Sequence, residues 1–102
     1  REMRDVHPFL VLSPKNFNQT TSLVIGLPMT TAEYNKDNPF AIAVGRASGK
    51  KSGMISYVLG HQPKSFDWRR RDAKPHPMKT IPAGRFAEVL ALMNQILQLD
   101  QP

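Results

Sequence analysis

The sequence of 102 residues contains no cysteine, which excludes disulfide bonds and thiolate-ligated metal sites. No apolar run approaches the roughly 20 residues that a membrane-spanning helix requires, and no signal peptide is visible. The carboxylates are scattered singly, so no cluster of His, Asp and Glu has the spacing of metal ligands. We therefore expect a soluble intracellular protein that contacts no membrane and uses neither a metal ion nor a cofactor.

Negative charge is also scarce in this chain. There are 8 Asp and Glu against 14 Lys and Arg, which gives a net charge of +6, and the isoelectric point is near 10.1. Such an excess favours a polyanion or an acidic protein as partner, although a merely soluble basic surface has the same composition. With 40% hydrophobic residues, we expect residues 1–102 to form one globular domain.

Two apolar segments near the N terminus predict a β-hairpin. They cover residues 9–13 and 23–27 and are bounded by Pro and Asn, which is typical of strands. The polar connection at 14–21 is too short for the crossover that parallel strands need, so the pairing is expected to be antiparallel.

The expected register of this hairpin places Ser13 near Leu23 and Phe9 near Leu27. His7, just before the first strand, would then lie near Met29 and Thr30, just after the second. An imidazole and a hydroxyl that are far apart in sequence would therefore meet at one edge of the sheet.

Further strands are predicted at 40–44, 54–59 and 62–66, with a loop at 30–39 and a flexible basic turn at 45–53. A C-terminal helix is predicted to begin near Pro82, a suitable first-turn residue. Its apolar stripe, which is expected to pack on the sheet or on a second copy, consists of Phe86, Val89, Leu90, Met93, Ile96 and Leu97. Strands followed by a helix predict a mainly β (α+β) fold, a small β-barrel with a C-terminal α-helix.

Four motifs follow one another along the chain. They read HPFLVLSP at 7–14, LPMTT at 27–31, NPF at 38–40 and QPKSFDWRRR at 62–71. In this order they resemble the MazF/PemK toxin family. The resemblance implies an SH3-like barrel, a homodimer, metal-independent cleavage of single-stranded RNA, an acidic MazE-like antitoxin, and DNA binding through the antitoxin complex. Two alternatives remain. One is an RNA-binding barrel without activity. The other is a non-catalytic inhibitor resembling the gyrase-poisoning toxins, but their C-terminal Trp-Gly tail is not seen at residues 99–102.

The N-terminal segment carries the next part of this resemblance. The family places a strand and then a loop reading roughly Gly-His-Glu-Gln upstream of His7, and this chain opens at what looks like the end of that loop. We therefore expect the family's N-terminal strand to be missing. Glu2 matches the acidic residue of the loop, where it could accept a hydrogen bond from a base edge, orient Arg4, or be only a frayed terminal charge.

Metal-free RNA cleavage needs a base for the 2′-OH, an acid for the leaving 5′-oxygen and donors for the phosphorane. The unperturbed pKa of a histidine side chain, near 6.5, suits both proton transfers, which makes His7 the candidate. The family normally has Arg at this position, and Arg4 could supply the missing charge. Thr30 matches the family's catalytic Thr, and its alternative role is to cap its own loop. Thr31 is assigned to the RNA-binding surface, although a structural role also fits it.

Two more segments are candidates for binding RNA. His61 and Gln62 stand where many relatives have Asp-Gln, so His61 could contact RNA or act as a second proton carrier. Trp68 precedes Arg69, Arg70 and Arg71, and a cationic run beside an aromatic ring can hold phosphate and stack a base. The alternative is a solvated face. We predict that Trp68 is partly core and that at least one of the arginines contacts RNA or antitoxin.

Overall fold

The computed structural model of this chain describes residues 8–46, 53–74 and 81–99. In these ranges the elements are β1 (Phe9–Val11), α1 (Lys15–Thr21), β2 (Leu23–Thr30), a 3-10 helix (Glu33–Asp37), β3 (Ala41–Arg46), β4 (Ile55–Leu59), β5 (Lys64–Asp67) and α2 (Ala83–Leu97). The predicted mainly β fold with a C-terminal helix is confirmed. Glu2, Arg4 and His7 lie outside the described residues.

The strand β2 is the centre of the sheet, and every pairing is antiparallel. It pairs with β1 along one edge. Along the other edge its first half pairs with β5 and its last two residues pair with β4, and β4 in turn pairs with β3. Gly26 pairs with both Val11 and Lys64, so strands flank it on both sides. A Cβ added at Gly26 would overlap the carbonyl oxygen of Leu10, which explains the glycine. Over the described residues the sheet stays open rather than closing into a barrel.

The predicted register of the first hairpin is wrong by one residue. Phe9 pairs with Pro28 instead of Leu27, and Leu10 pairs with Leu27. The backbone N–H groups of Leu12 and Ser13 both donate to the carbonyl oxygen of Ile25, at 2.8 and 3.1 Å. Two residues opposing one is the arrangement of a β-bulge, and it ends the strand before Ser13 can pair with Leu23.

The polar connection at 14–21 contains a helix, α1, which the sequence analysis did not predict. Seven residues are too few for a helix that is stable on its own. Contacts at both sides of α1 support it: the Asn18 side-chain amide donates to the Ser13 carbonyl oxygen at 3.1 Å. The indole N–H of Trp68 donates to the Asn18 carbonyl oxygen at 2.8 Å.

The core lies between the sheet and α2. Its buried members are Leu27, Met29, Val44, Val58 and Val89. The helix α2 begins directly after Pro82, as predicted. Only part of its apolar stripe packs on the sheet, because Leu90, Ile96 and Leu97 remain 45%, 39% and 46% exposed. None of the helices in the described ranges is long and apolar enough to cross a bilayer.

Candidate active site

Thr30 ends β2, where it pairs with Tyr57 of β4. Its hydroxyl oxygen accepts a hydrogen bond from the backbone N–H of Ala32 at 3.1 Å. Thr30 therefore does cap its own loop, which was the alternative to a catalytic role. The two roles are compatible, because a hydroxyl has one proton to donate and a second lone pair besides the one used here. The cap holds the side chain in one orientation, and within the described ranges its O–H proton is given to no acceptor.

The N-terminal arm reaches the same end of β2. The carbonyl oxygen of Pro8 accepts a hydrogen bond from the N–H of Met29, the residue before Thr30, at 3.0 Å. The expected approach of His7 to Met29 and Thr30 falls on a residue outside the described ranges, as do the expected roles of Arg4 and Glu2. The described pairing ends one residue short of His7.

A groove opens beside Thr30. It has a volume of about 260 Å³ and is lined by Thr31, Glu33, Gly53, Met54, Ile55 and Tyr57. Sequence reasoning placed Thr31 at the site but did not find Glu33 or Tyr57. A single carboxylate in a polar loop has no distinguishing pattern, and Tyr57 is brought opposite Thr30 only by the register between β2 and β4.

Three asparagine-mediated hydrogen bonds hold the loop that carries Glu33. Asn35 is 2% exposed, and its amide donates to the Ala32 carbonyl oxygen at 3.1 Å. The Asn38 amide donates to the Asn35 side-chain oxygen at 3.1 Å. The Phe40 N–H donates to the Asn38 side-chain oxygen at 2.9 Å. The predicted loop at 30–39 is therefore a fixed structure built around a buried side chain.

His61 and Gln62 lie away from this groove. They follow β4 in the turn that leads to β5, and neither lines the groove. The exposed His61 ring lies 5.5 Å from the ring of Phe40, with the planes tilted by 39°. The Gln62 amide nitrogen is 3.4 Å from His61 Nε2. A contact with Phe40 gives His61 a local packing role, whereas its expected RNA contact remains a prediction.

The three arginines after Trp68 have different environments. Arg69 stacks over Trp68 at 4.6 Å and donates to the Ser22 hydroxyl at 2.7 Å and to the Gln19 carbonyl oxygen at 3.3 Å. Arg71 lies over Phe66 at 5.1 Å. The exposed Arg70 side chain makes no hydrogen bond or ion pair with any described residue. Trp68 is half-buried, as predicted.

The arginines and Thr30 lie at opposite ends of β2. Asp67, which ends β5 just before this run, pairs with Leu23 at the start of β2, and seven residues at about 3.3 Å each separate Leu23 from Thr30. Within one chain the two candidate sites are therefore roughly 20 Å apart along the strand. Over the described ranges, no group of three His, Asp or Glu side chains could hold a metal ion.

Comparison with known proteins assigns the chain to a family. The family described as "PemK-like, MazF-like toxin of type II toxin-antitoxin system" matches residues 1–97. Endoribonuclease PemK of Escherichia coli is 25% identical over 97 residues, which are 94% of this chain and 69% of that protein.

Solved structures agree with this assignment. The MazE–MazF complex (Form-I) of Deinococcus radiodurans matches with a TM-score of 0.74 and 31% identity over 91% of this chain and 83% of that one. MazF (Form-I) of the same organism matches with a TM-score of 0.70 and 32% identity over 90% and 76%. Because the family match includes Thr30, the groove, the arginines and α2, the chain belongs to the PemK-like, MazF-like toxin family of type II toxin–antitoxin systems.

Proposed function

We propose that this chain is the toxin of a type II toxin–antitoxin system and acts as a sequence-selective, metal-independent endoribonuclease on single-stranded RNA such as mRNA. The observation that carries this proposal is the Thr30 hydroxyl at the end of β2, which accepts the Ala32 N–H and donates to none of the described residues. Family membership supports the activity, since the Escherichia coli relative is named an endoribonuclease.

In the proposed reaction the 2′-OH attacks the neighbouring phosphorus and the bond to the 5′-oxygen breaks. The proton lost by the 2′-OH is finally gained by the 5′-oxygen, so this step consumes no water. The products are a 2′,3′-cyclic phosphate and a 5′-OH. Thr30 donates a hydrogen bond to a phosphate oxygen, which stabilises the charge that builds up on the phosphorane.

His7 is proposed to transfer the proton. It directly precedes Pro8 in the sequence, and the Pro8 carbonyl oxygen accepts a hydrogen bond from the residue before Thr30. This contact of Pro8 supports the assignment of His7 to the Thr30 end of β2. Arg4 supplies fixed positive charge, because neutral imidazole cannot supply it. Glu2, Thr31, His61 and Gln62 are assigned to RNA binding, together with those of Arg69, Arg70 and Arg71 that are free to reach it.

We also infer two protein partners. The exposed apolar residues of α2, Leu90, Ile96 and Leu97, support a homodimer in which a second copy covers them. The charge of +6 supports an acidic antitoxin, and the relative from Deinococcus radiodurans has been crystallised as a MazE–MazF complex. A cytoplasmic location and DNA binding by the toxin–antitoxin complex belong to the same proposal.

The test is cleavage of single-stranded RNA by the purified protein in EDTA, with the end groups of the products mapped. Cleavage should persist and leave cyclic phosphates, and a single 2′-deoxy substitution at the cut site should block it because the nucleophile is removed. Activity that disappears in EDTA and returns with Mg²⁺ would contradict the mechanism. Binding of RNA without any cleavage would instead support the RNA-binding alternative.

A further inference from the structure

Glu33 is a carboxylate in a place where RNA binding alone would disfavour one. It begins the 3-10 helix, is exposed, and lines the groove beside Thr31. No Lys or Arg among the described residues forms an ion pair with it. A negative charge here repels the phosphates of an approaching strand, which calls for a compensating interaction with some other part of the nucleotide.

The remaining groove residues suit a flat aromatic ligand. Met54 and Ile55 offer two apolar side chains, and Tyr57, which is only 8% exposed, lines the groove as well. Thr31 and Glu33 contribute polar groups. Met54 is 47% exposed although it is apolar. Single-stranded RNA is recognised by bases that leave the stack, pack on such side chains and form hydrogen bonds along their edges. The volume of about 260 Å³ is below the usual range of small-molecule pockets, about 300 to 1,000 Å³, which suits one base better than a longer segment.

The chemistry of the carboxylate narrows the choice of base. An ionised Glu accepts hydrogen bonds and donates none. Phosphate oxygens offer it no proton, but the exocyclic amino groups of adenine, cytosine and guanine do, and Glu and Asp pair with such groups in nucleic-acid complexes. Uracil has no amino group, and its ring N3–H, which lies between two carbonyl oxygens that would repel the carboxylate, is its only base-edge donor.

We propose that this groove is a base-recognition subsite in which Glu33 accepts a hydrogen bond from the exocyclic amino group of a base next to the cut. The inference rests on the proposed RNA substrate and goes beyond it by assigning the selectivity to a residue. Thr30 and Thr31 are consecutive, so a phosphate at Thr30 leaves the neighbouring base within reach of the groove. The Asn35 and Asn38 hydrogen bonds hold the loop backbone that carries Glu33 in advance of binding, which lowers the cost of ordering it.

The experiment removes the amino group from the RNA and the carboxylate from the protein. Once the cut site is mapped, each flanking base is replaced in turn by uracil, and adenine or guanine is replaced by purine or hypoxanthine, which lack the amino group. We measure kcat/KM for the wild type, Glu33→Ala, Glu33→Gln and a matched control, Asp37→Asn. Asp37 lies on the same 3-10 helix and is exposed, but it does not line the groove.

At one position, loss of the amino group should lower kcat/KM of the wild type and of Asp37→Asn about tenfold, which corresponds to one good base contact. The ratio of kcat/KM with the amino group to kcat/KM without it should fall below about twofold in two variants. Glu33→Ala has no acceptor, and Glu33→Gln also donates to uracil. Using this ratio cancels the general gain in RNA affinity that follows from removing a negative charge.

Three results would overturn the proposal: no amino preference at any position, a preference that survives in Glu33→Ala, or a Glu33-dependent effect of a 2′-hydroxyl with no effect of the base. Binding of non-cleavable 2′-O-methyl RNA separates this proposal from the catalytic one. If the Kd for 2′-O-methyl RNA shows a Glu33-dependent amino preference while unmodified RNA is not cleaved, the subsite is supported and the nuclease proposal is refuted. Absence of both binding and cleavage would refute both.

Discussion

Arg69 and Arg70 are adjacent, yet the structure predicts opposite consequences when each is replaced by Ala. Arg69 joins the turn after β5 to α1 through hydrogen bonds to Ser22 and Gln19 and a stack on Trp68. Toward the described residues Arg70 contributes its backbone N–H alone, which donates to the Asp67 carboxylate at 2.9 Å and survives substitution. One substitution should therefore change folding stability and the other should change binding.

The expected magnitudes follow from these contacts. At an exposed site each hydrogen bond of Arg69 contributes toward the lower end of about 0.5 to 1.5 kcal/mol, and the cation–π contact adds about 0.5 to 1 kcal/mol. Arg69→Ala should therefore lower the free energy of unfolding by about 1 to 2 kcal/mol, which in a domain of this size lowers Tm by roughly 5 to 10 °C. Arg70→Ala should stay within about 0.5 kcal/mol of the wild type.

Two measurements separate the variants: denaturant unfolding, and the association rate with an acidic antitoxin or single-stranded RNA at several salt concentrations. Arg70→Ala should slow association, more at low salt than at high salt, because screening acts over roughly 8 Å at physiological ionic strength. The triple variant with Ala at 69–71 should show both effects. Unchanged stability of Arg69→Ala would refute the structural role. Equal rates and salt slopes for wild type and triple variant would show that the arginine run takes no part in association.

Three further predictions concern the site and its support. His7→Ala should lower turnover at least tenfold and alter its pH profile, because a general acid–base group contributes about 10² to 10⁴ in rate. Wild-type rates with an unchanged profile would make His7 structural. His7→Arg tests the family's usual residue. Thr30→Val should also lower turnover at least tenfold while Thr30→Ser retains it, and equal activity of both would exclude the hydroxyl from catalysis. Asn35→Ala should cost about 1 to 3 kcal/mol of stability, because the Ala32 carbonyl and the Asn38 amide lose a buried partner; exposed Asn16→Ala is the control, and equal losses would contradict the reasoning.

Local patterns in the sequence were sufficient for the elements and their sense of pairing. Apolar runs bounded by Pro and Asn predicted the strands, and a short connection predicted that β1 and β2 are antiparallel. Pro82 and an apolar stripe predicted α2 to within a residue of its start. These features depend on neighbours within a turn or a strand, which is why they can be read without the fold. The ordered motifs likewise predicted the family that the comparisons confirmed.

Contacts between distant residues decided the rest. The helix α1 depends on Trp68, 50 residues beyond Asn18, and the bulge at Leu12 and Ser13 depends on the carbonyl of Ile25. Arg69 differs in role from Arg70 because it bonds to Ser22, 47 residues away. Tyr57 and Glu33 line one groove only because β4 pairs with the end of β2. The sequence by itself determined which residues carry charge, hydroxyl and imidazole groups. Tertiary structure decided which of them meet, because strand register and packing set those distances.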